Sequence, residues 1–198
     1  MSYFKGHADD PYSQYRDIHG RIDGIVRNLS AQTHPRRNTL LTVVSHSLGT
    51  VILSDYFYDH RNTLKADQRL VFGNFFTLGS PIALYANRLY DPRRTKNPFA
   101  DFKPQPVADR WGVWVNLFDE DDLIGYPIRP VNPYCRKVVT ADLNVKVGTF
   151  LSGWNPLSHL GYWEDETVGK IIAEKLAIDW LRANRWDRTE TTEQRIGR

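Results

Sequence analysis

Residues Leu40 to Val44 form a short β-branched run with no polar alternation, and it stops at Ser45-His46-Ser47-Leu48-Gly49, where a helical stretch from Leu48 to about Tyr58 begins. Such a run describes a strand covered on both faces, the habit of parallel sheets with helices packed against them. A second run, Val71 to Leu78, ends at Gly79-Ser80-Pro81, and a third spans Val113 to Phe118. Helices alternating with buried strands predict an α/β fold, a mostly parallel sheet flanked by helices.

The rest of the chain fits that frame. From Tyr12 to about Ala31 the residues Ile18, Ile22, Ile25, Val26 and Leu29 recur at three- and four-residue steps, the spacing of an amphipathic helix with one buried face, and His34-Pro35 ends it. Lys137 to Val147 is expected to be a fourth, partly exposed strand. A last helix is predicted from about Glu164 to Trp186, burying Val168, Ile171, Ile172, Leu176 and Trp180 on one face, with acids at its start and arginines at its end as the helix dipole prefers. Asp91 to Asp109 holds Pro92, Pro98, Pro104 and Pro106 and is expected to be a long loop or lid, carrying Phe99 and Phe102. Residues 189–198 are polar and expected to fray. The length of 198 residues suits a single domain over 1–198, and no internal repeat is evident.

Composition excludes several classes. With 41% hydrophobic and 25% charged residues the chain is not a disordered or collagen-like one. No apolar run approaches the ~18–20 residues of a membrane span. A single cysteine, Cys135, forbids an intramolecular disulfide and a zinc site built on several thiolates. The net charge of +3 is scattered, and the best basic cluster (Arg88, Arg93, Arg94, Lys96) falls short of a nucleic-acid stripe, so no nucleic-acid partner is expected. The start, Met1-Ser2-Tyr3-Phe4-Lys5-Gly6, lacks the pattern of a secretory signal, which points to a cytoplasmic protein.

Chemistry centres on Ser47. A serine flanked two positions away by the small residues Ser45 and Gly49 can occupy a sharp strand–turn–helix corner, which lifts its hydroxyl above the sheet edge. The corner also sets the serine at a helix N-terminus, where the Leu48 N–H can face a developing oxyanion. The plainer alternative is an ordinary turn with a capping serine. A serine nucleophile needs a base oriented by a third group, and on this kind of fold the order is serine, acid, histidine. His159, in the loop Trp154 to Trp163 before the last helix, is the candidate base, expected as a mobile, exposed imidazole. His46 adjoins Ser47, but neighbours in a tight turn point apart, which makes it a poor base. His7, His19, His34 and His60 are expected to be solvated. The acid is sought in Asp119-Glu120-Asp121-Asp122-Leu123-Ile124 after the third strand. Asp122 is preferred, with Leu123-Ile124 expected to anchor it inward; Asp119 is the alternative and Asp121 trails both. No second cluster of oxygen ligands accompanies these acids, so neither a metal nor a cofactor is expected.

In these motifs the sequence resembles the α/β-hydrolase superfamily, particularly its serine lipases and esterases. Ser45-His46-Ser47-Leu48-Gly49-Thr50 resembles the nucleophile elbow. Thr77-Leu78-Gly79-Ser80-Pro81 resembles the end of the next core strand, Trp114-Val115-Asn116 with Asp119 and Asp122-Leu123-Ile124 the acid loop, and Ser158-His159 with Tyr162-Trp163 the histidine loop. The resemblance spans roughly Tyr12 to Leu181. It implies Ser47 as nucleophile, Asp122 as acid, His159 as base, Leu48 as an oxyanion donor, and a small-molecule or lipid ester as substrate.

The front of the chain departs from that pattern. The family places a strand and a His-Gly loop before the elbow, and the loop supplies a second oxyanion donor; residues 1–44 hold mostly helix and no such loop. The resemblance therefore implies either the C-terminal part of a longer product, which an internal Met1 taken as the start would explain, or an N-terminally shortened, impaired hydrolase domain. An exposed sheet edge through which two copies could dimerise is expected as well. The alternative to an esterase is a catalytically impaired or silent binding module of the same fold.

Overall fold

The computed structural model describes residues 14–33, 39–60, 63–64, 69–89, 112–147 and 158–183. In chain order these form α1 (Gln14–Gln32), β1 (Thr39–His46), α2 (Leu48–Asp59), β2 (Leu70–Leu78), α3 (Ile82–Leu89), β3 (Val113–Phe118), α4 (Pro133–Val138), β4 (Ala141–Asn144) and α5 (Glu166–Ala183). Two 3-10 turns, Arg129–Val131 and Ser158–Trp163, join them. The loop expected at Asp91–Asp109 and the tail 189–198 lie outside the described residues.

The four strands make one parallel sheet in the order β1-β2-β3-β4. Crossovers between parallel strands are right-handed. When each strand is laid beside the last in one direction, every crossover helix falls on the same face. The first core cluster agrees: Tyr15 of α1, Val51, Tyr56 and Phe57 of α2, Ile82 of α3, and Cys135 and Val138 of α4 pack on Phe72, Phe75 and Trp114. α5, which follows the last strand, covers the other face, where Val168 packs with Phe76, Leu78, Val115, Leu117, Val145 and Tyr162. The pairing steps from Leu41↔Phe72 to Thr42↔Asn74, so Gly73 is the extra residue of a bulge. That bulge turns Phe72 to the same face as Phe75. A Cβ at Gly73 would sit 1.9 Å from Leu40 Cδ1.

Several elements differ from expectation. β1 is half-buried from Leu40 to Val44, not covered on both faces, because it stands at the sheet edge among the described residues. β4 is only Ala141–Asn144, because Lys137 and Val138 close α4 instead. Asn132 caps that helix, its side chain accepting from the N–H groups of Tyr134 and Cys135, and Pro133 fills the first helical position. In α1 the buried stripe runs through Tyr15, His19, Ile22 and Val26, leaving Ile25 exposed. His19, expected in solvent, is buried against Tyr15 and Tyr56 at ring separations of 4.0 and 5.7 Å. His60 is half-buried, stacked 4.4 Å from Tyr56, and His7 and His34 lie outside the described residues.

The last helix shows the largest change of face. Val168, Ile171 and Ile172 pack inward as expected, but Leu176 and Trp180 are 44% and 58% exposed. The inward stripe continues through Lys175 and Asp179, one position earlier in each turn. Asp179 is buried, bonded to Lys175, and accepts from Asn74 Nδ2 at 2.7 Å, which also donates to Thr42 Oγ1 at 2.9 Å. Asp179→Ala leaves the buried Asn74 amide short of a partner, and is expected to cost roughly 1–3 kcal/mol, measured as a lowered midpoint in urea. An unchanged midpoint would mean that water replaces the carboxylate. No described helix is long and apolar enough to cross a membrane.

Candidate active site

All four strands point the same way, so their carboxyl ends share one edge, the place where open α/β sheets bind ligands. β1 ends at His46, and Ser47 turns the chain into α2 with φ 54° and ψ −135°. It is the one non-glycine residue with positive φ among the described residues. A strained serine of that kind persists only where its surroundings hold it. Its N–H donates to Leu78 O at 3.0 Å, extending the β1–β2 ladder, and its carbonyl accepts from Thr50 N–H at 2.9 Å and Thr50 Oγ1 at 2.7 Å. The small neighbours have a visible purpose: a Cβ at Gly49 would lie 3.0 Å from Ser45 Oγ. Leu48 opens α2, with its N–H in the first turn of the helix.

His159 reaches this serine from the 3-10 turn after β4. Its Nε2 is 2.7 Å from Ser47 Oγ, and its Nδ1 is 2.8 Å from Asp122 Oδ2. A carboxylate only accepts, so Nδ1 carries the proton and Nε2 is left to accept from the serine hydroxyl. His159 is not the exposed ring expected of a loop; its side chain is 11% accessible, wedged between Asp122 and the ring of His46.

Asp122, 3% exposed, is the acid that meets His159. Its Oδ2 also accepts from Tyr162 Oη at 3.0 Å, and its Oδ1 from the Ile124 N–H at 2.9 Å. Burial pushes the carboxyl up, but the bonds from His159, Ile124 and Tyr162 outweigh it and hold the carboxyl below its ordinary value. The anchor is not the one expected. Leu123 and Ile124 turn their side chains outward, 74% and 40% exposed, and it is the Ile124 backbone that holds Asp122. Two glycines give the carboxylate room: a Cβ at Gly125 would stand 2.6 Å from Asp122 Oδ2, and one at Gly79 would stand 2.9 Å from it.

Asp119 has a different task. It is buried, and its carboxylate accepts from the N–H groups of Asp121 at 3.0 Å and Val147 at 2.8 Å, while its own N–H donates to Tyr162 Oη at 2.8 Å. It shapes the acid loop and does not touch His159. Asp121 and Glu120 face solvent. Farther along, Asn116 Nδ2 donates to Tyr126 O and Asp142 Oδ1, and Asp142 accepts from the N–H groups of Ile128 and Arg129, so the acid loop is pinned to β3 and β4. Burial pushes the Cys135 thiol up to about 11, which keeps it out of the reactive thiolate form.

The structure thus brings Ser47, His159 and Asp122 into one hydrogen-bonded chain, with Leu48 beside the serine. Sequence reasoning set Tyr162 in the histidine loop but missed its task of bridging Asp122 and the Asp119 backbone, read Gly79 only as part of a strand end, and did not single out Gly125. Tyr162 carried a usable signal, standing three positions after His159 in the same short turn. No protein-family model, curated protein or solved structure matches the chain.

Proposed function

We propose that the chain is a serine hydrolase of the α/β-hydrolase kind, cleaving carboxylic esters through an acyl-enzyme on Ser47. One observation carries this: the unbroken relay from Ser47 Oγ to His159 Nε2 and from His159 Nδ1 to Asp122 Oδ2, at 2.7 and 2.8 Å. The positive-φ elbow at a helix N-terminus and the chain order serine, acid, histidine support the same assignment.

The chemistry follows from the protonation states. His159 Nε2 takes the Ser47 hydroxyl proton as Oγ attacks the ester carbonyl, and Asp122 stabilises the imidazolium that forms. In this reading the Leu48 N–H, in the first turn of α2, donates to the resulting oxyanion. Collapse of the tetrahedral adduct breaks the ester C–O bond, and the proton on Nε2 passes to the departing alkoxide. A water molecule, deprotonated by the same nitrogen, then attacks the acyl carbon and returns Ser47 to its hydroxyl form. Leu48, Leu123, Ile124, Leu160 and Trp163, close to the relay residues in the chain, are exposed apolar side chains, the kind that suits the acyl group of a small-molecule or lipid ester.

A fluorophosphonate probe tests the proposal. Intact-mass measurement is expected to find one adduct on the folded parent protein and none on Ser47→Ala. An unlabelled parent of unchanged melting temperature would leave a binding module with the relay geometry and no hydrolysis.

A further inference from the structure

His46 ends β1 beside the nucleophile and stands outside the relay, yet its ring is built into the site. Its Nε2 lies 2.6 Å from the backbone carbonyl oxygen of His159. A carbonyl only accepts, so Nε2 carries the proton and His46 is the donor. The His46 and His159 rings lie 4.6 Å apart, tilted by 37°, with Tyr162 and Trp163 at 5.8 and 6.0 Å around the same imidazole.

We propose that His46 is a positioning residue for His159, its Nε2–H holding the backbone carbonyl of the base so that the base stays within reach of Ser47 Oγ. This rests on the hydrolase assignment of Ser47, His159 and Asp122. The 3-10 turn bearing His159 is 112 residues from Ser47 in the chain, so the two must be brought into register through space. Asp122 and Tyr162 fix the turn to the acid loop. His46 fixes it to the strand that carries the nucleophile, through the residue next to Ser47 itself. The nucleophile and the carbonyl of the base are thereby tied by a single side chain.

Protonation favours this role. Burial lowers the His46 pKa from its ordinary value, and the neighbouring His159 works in the same direction, against the opposing effects of the carbonyl bond and Asp122. His46 therefore stays a neutral donor at neutral pH and adds no second positive charge beside the imidazolium that forms on His159.

The test compares His46→Phe, His46→Gln and His46→Asn with the parent on a p-nitrophenyl ester. Phenylalanine keeps the ring without a donor. Glutamine places an N–H where His46 has Nε2, and asparagine is one methylene too short to reach. Misplacement of a reacting group by ~1 Å can cost ~10²-fold. With Asp122 still bonded to the base, kcat is expected to fall about tenfold in the Phe and Asn variants, with KM unchanged, and to recover in the Gln variant. Parental kcat in folded Phe or Asn variants of an active parent overturns the positioning role alone. Parallel losses in kcat, KM and melting temperature, with no recovery in Gln, make His46 a packing residue and overturn it too. A parent that neither turns over the ester nor takes the fluorophosphonate overturns the hydrolase assignment, and the role of His46 falls with it.

Discussion

Under the proposed hydrolase assignment, Asp122→Asn is expected to lower ester turnover by ~10⁴-fold, while Asp119→Asn lowers it little. Both carboxylates are 3% exposed, both sit in one acid loop, and both accept backbone N–H groups, so burial does not separate them. The partner does. Asp122 Oδ2 accepts the His159 Nδ1 proton, and an amide there can turn its NH2 to the ring, favouring the tautomer with its proton on Nε2. That tautomer cannot take a proton from Ser47. Among the described residues the Asp119 carboxylate accepts from the N–H groups of Asp121 and Val147, and the amide of an asparagine would turn a donor toward one of them. Its expected effect is on stability, roughly 1–3 kcal/mol, seen as a lowered melting temperature with kcat per folded molecule nearly intact. Activity and stability should thus divide between two aspartates three residues apart. Equal kcat losses in both variants would show that neither orients His159.

The sheet was legible because its signal is local. The runs Leu40–Val44, Val71–Leu78 and Val113–Phe118 each hold apolar residues on both faces, and all three are strands of the parallel sheet. Boundaries that rest on a single cap were missed. Asn132-Pro133 starts α4 and shortens β4, and α3 begins at Ile82, directly after a Gly79-Ser80-Pro81 sequence that reads as a stop. The face of α5 was misjudged for another reason. Apolar spacing assigns Leu176 and Trp180 inward, but the buried Asn74 of β2 draws Asp179 inward to meet it. A polar pair formed across 105 residues leaves no trace in a hydrophobic period.

The geometry of the candidate site was legible to the same depth. Ser47 is marked by a backbone constraint, which small flanking residues reveal, and His159 by its order in the chain. The segment Asp119 to Asp122 offers four acids in a row, and nothing local separates them. Asp122 is set apart by Tyr162, Gly79 and Gly125, groups that approach it only once the chain has folded. His46 was set aside as a base on the expectation that neighbouring side chains in a tight turn point apart. In the fold both side chains meet His159, Ser47 Oγ at its Nε2 and His46 Nε2 at its backbone carbonyl, and that bond engages the His46 nitrogen.

Gly79→Ala should damage both stability and turnover, and Gly24→Ala should do the reverse for stability while leaving turnover alone. Gly79 follows β2 with φ +51°, a left-handed conformation that costs an L residue roughly 1–2 kcal/mol. A Cβ there would also stand 2.7 Å from Tyr162 Cε2, 2.9 Å from Asp122 Oδ2 and 3.1 Å from His159 Cε1. All three belong to the candidate site, and Tyr162 is bonded to Asp122, so whichever gives way disturbs Asp122 or His159. Displacements of ~1 Å at reacting groups can cost ~10²-fold in rate, and a loss of that order in kcat is expected. Gly24 lies inside α1 with nothing within 4 Å of its added Cβ. Alanine there removes backbone freedom from the unfolded chain and is expected to stabilise by roughly 0.5–1 kcal/mol. Thermal melts and p-nitrophenyl ester kinetics on both variants read the two effects separately. If Gly79→Ala melts lower but keeps its kcat, the strain is real and the contacts with Asp122 and His159 give way without cost to the relay. If kcat falls while the melting temperature holds, the cost lies in the displaced acid and base, and the left-handed turn tolerates its methyl group.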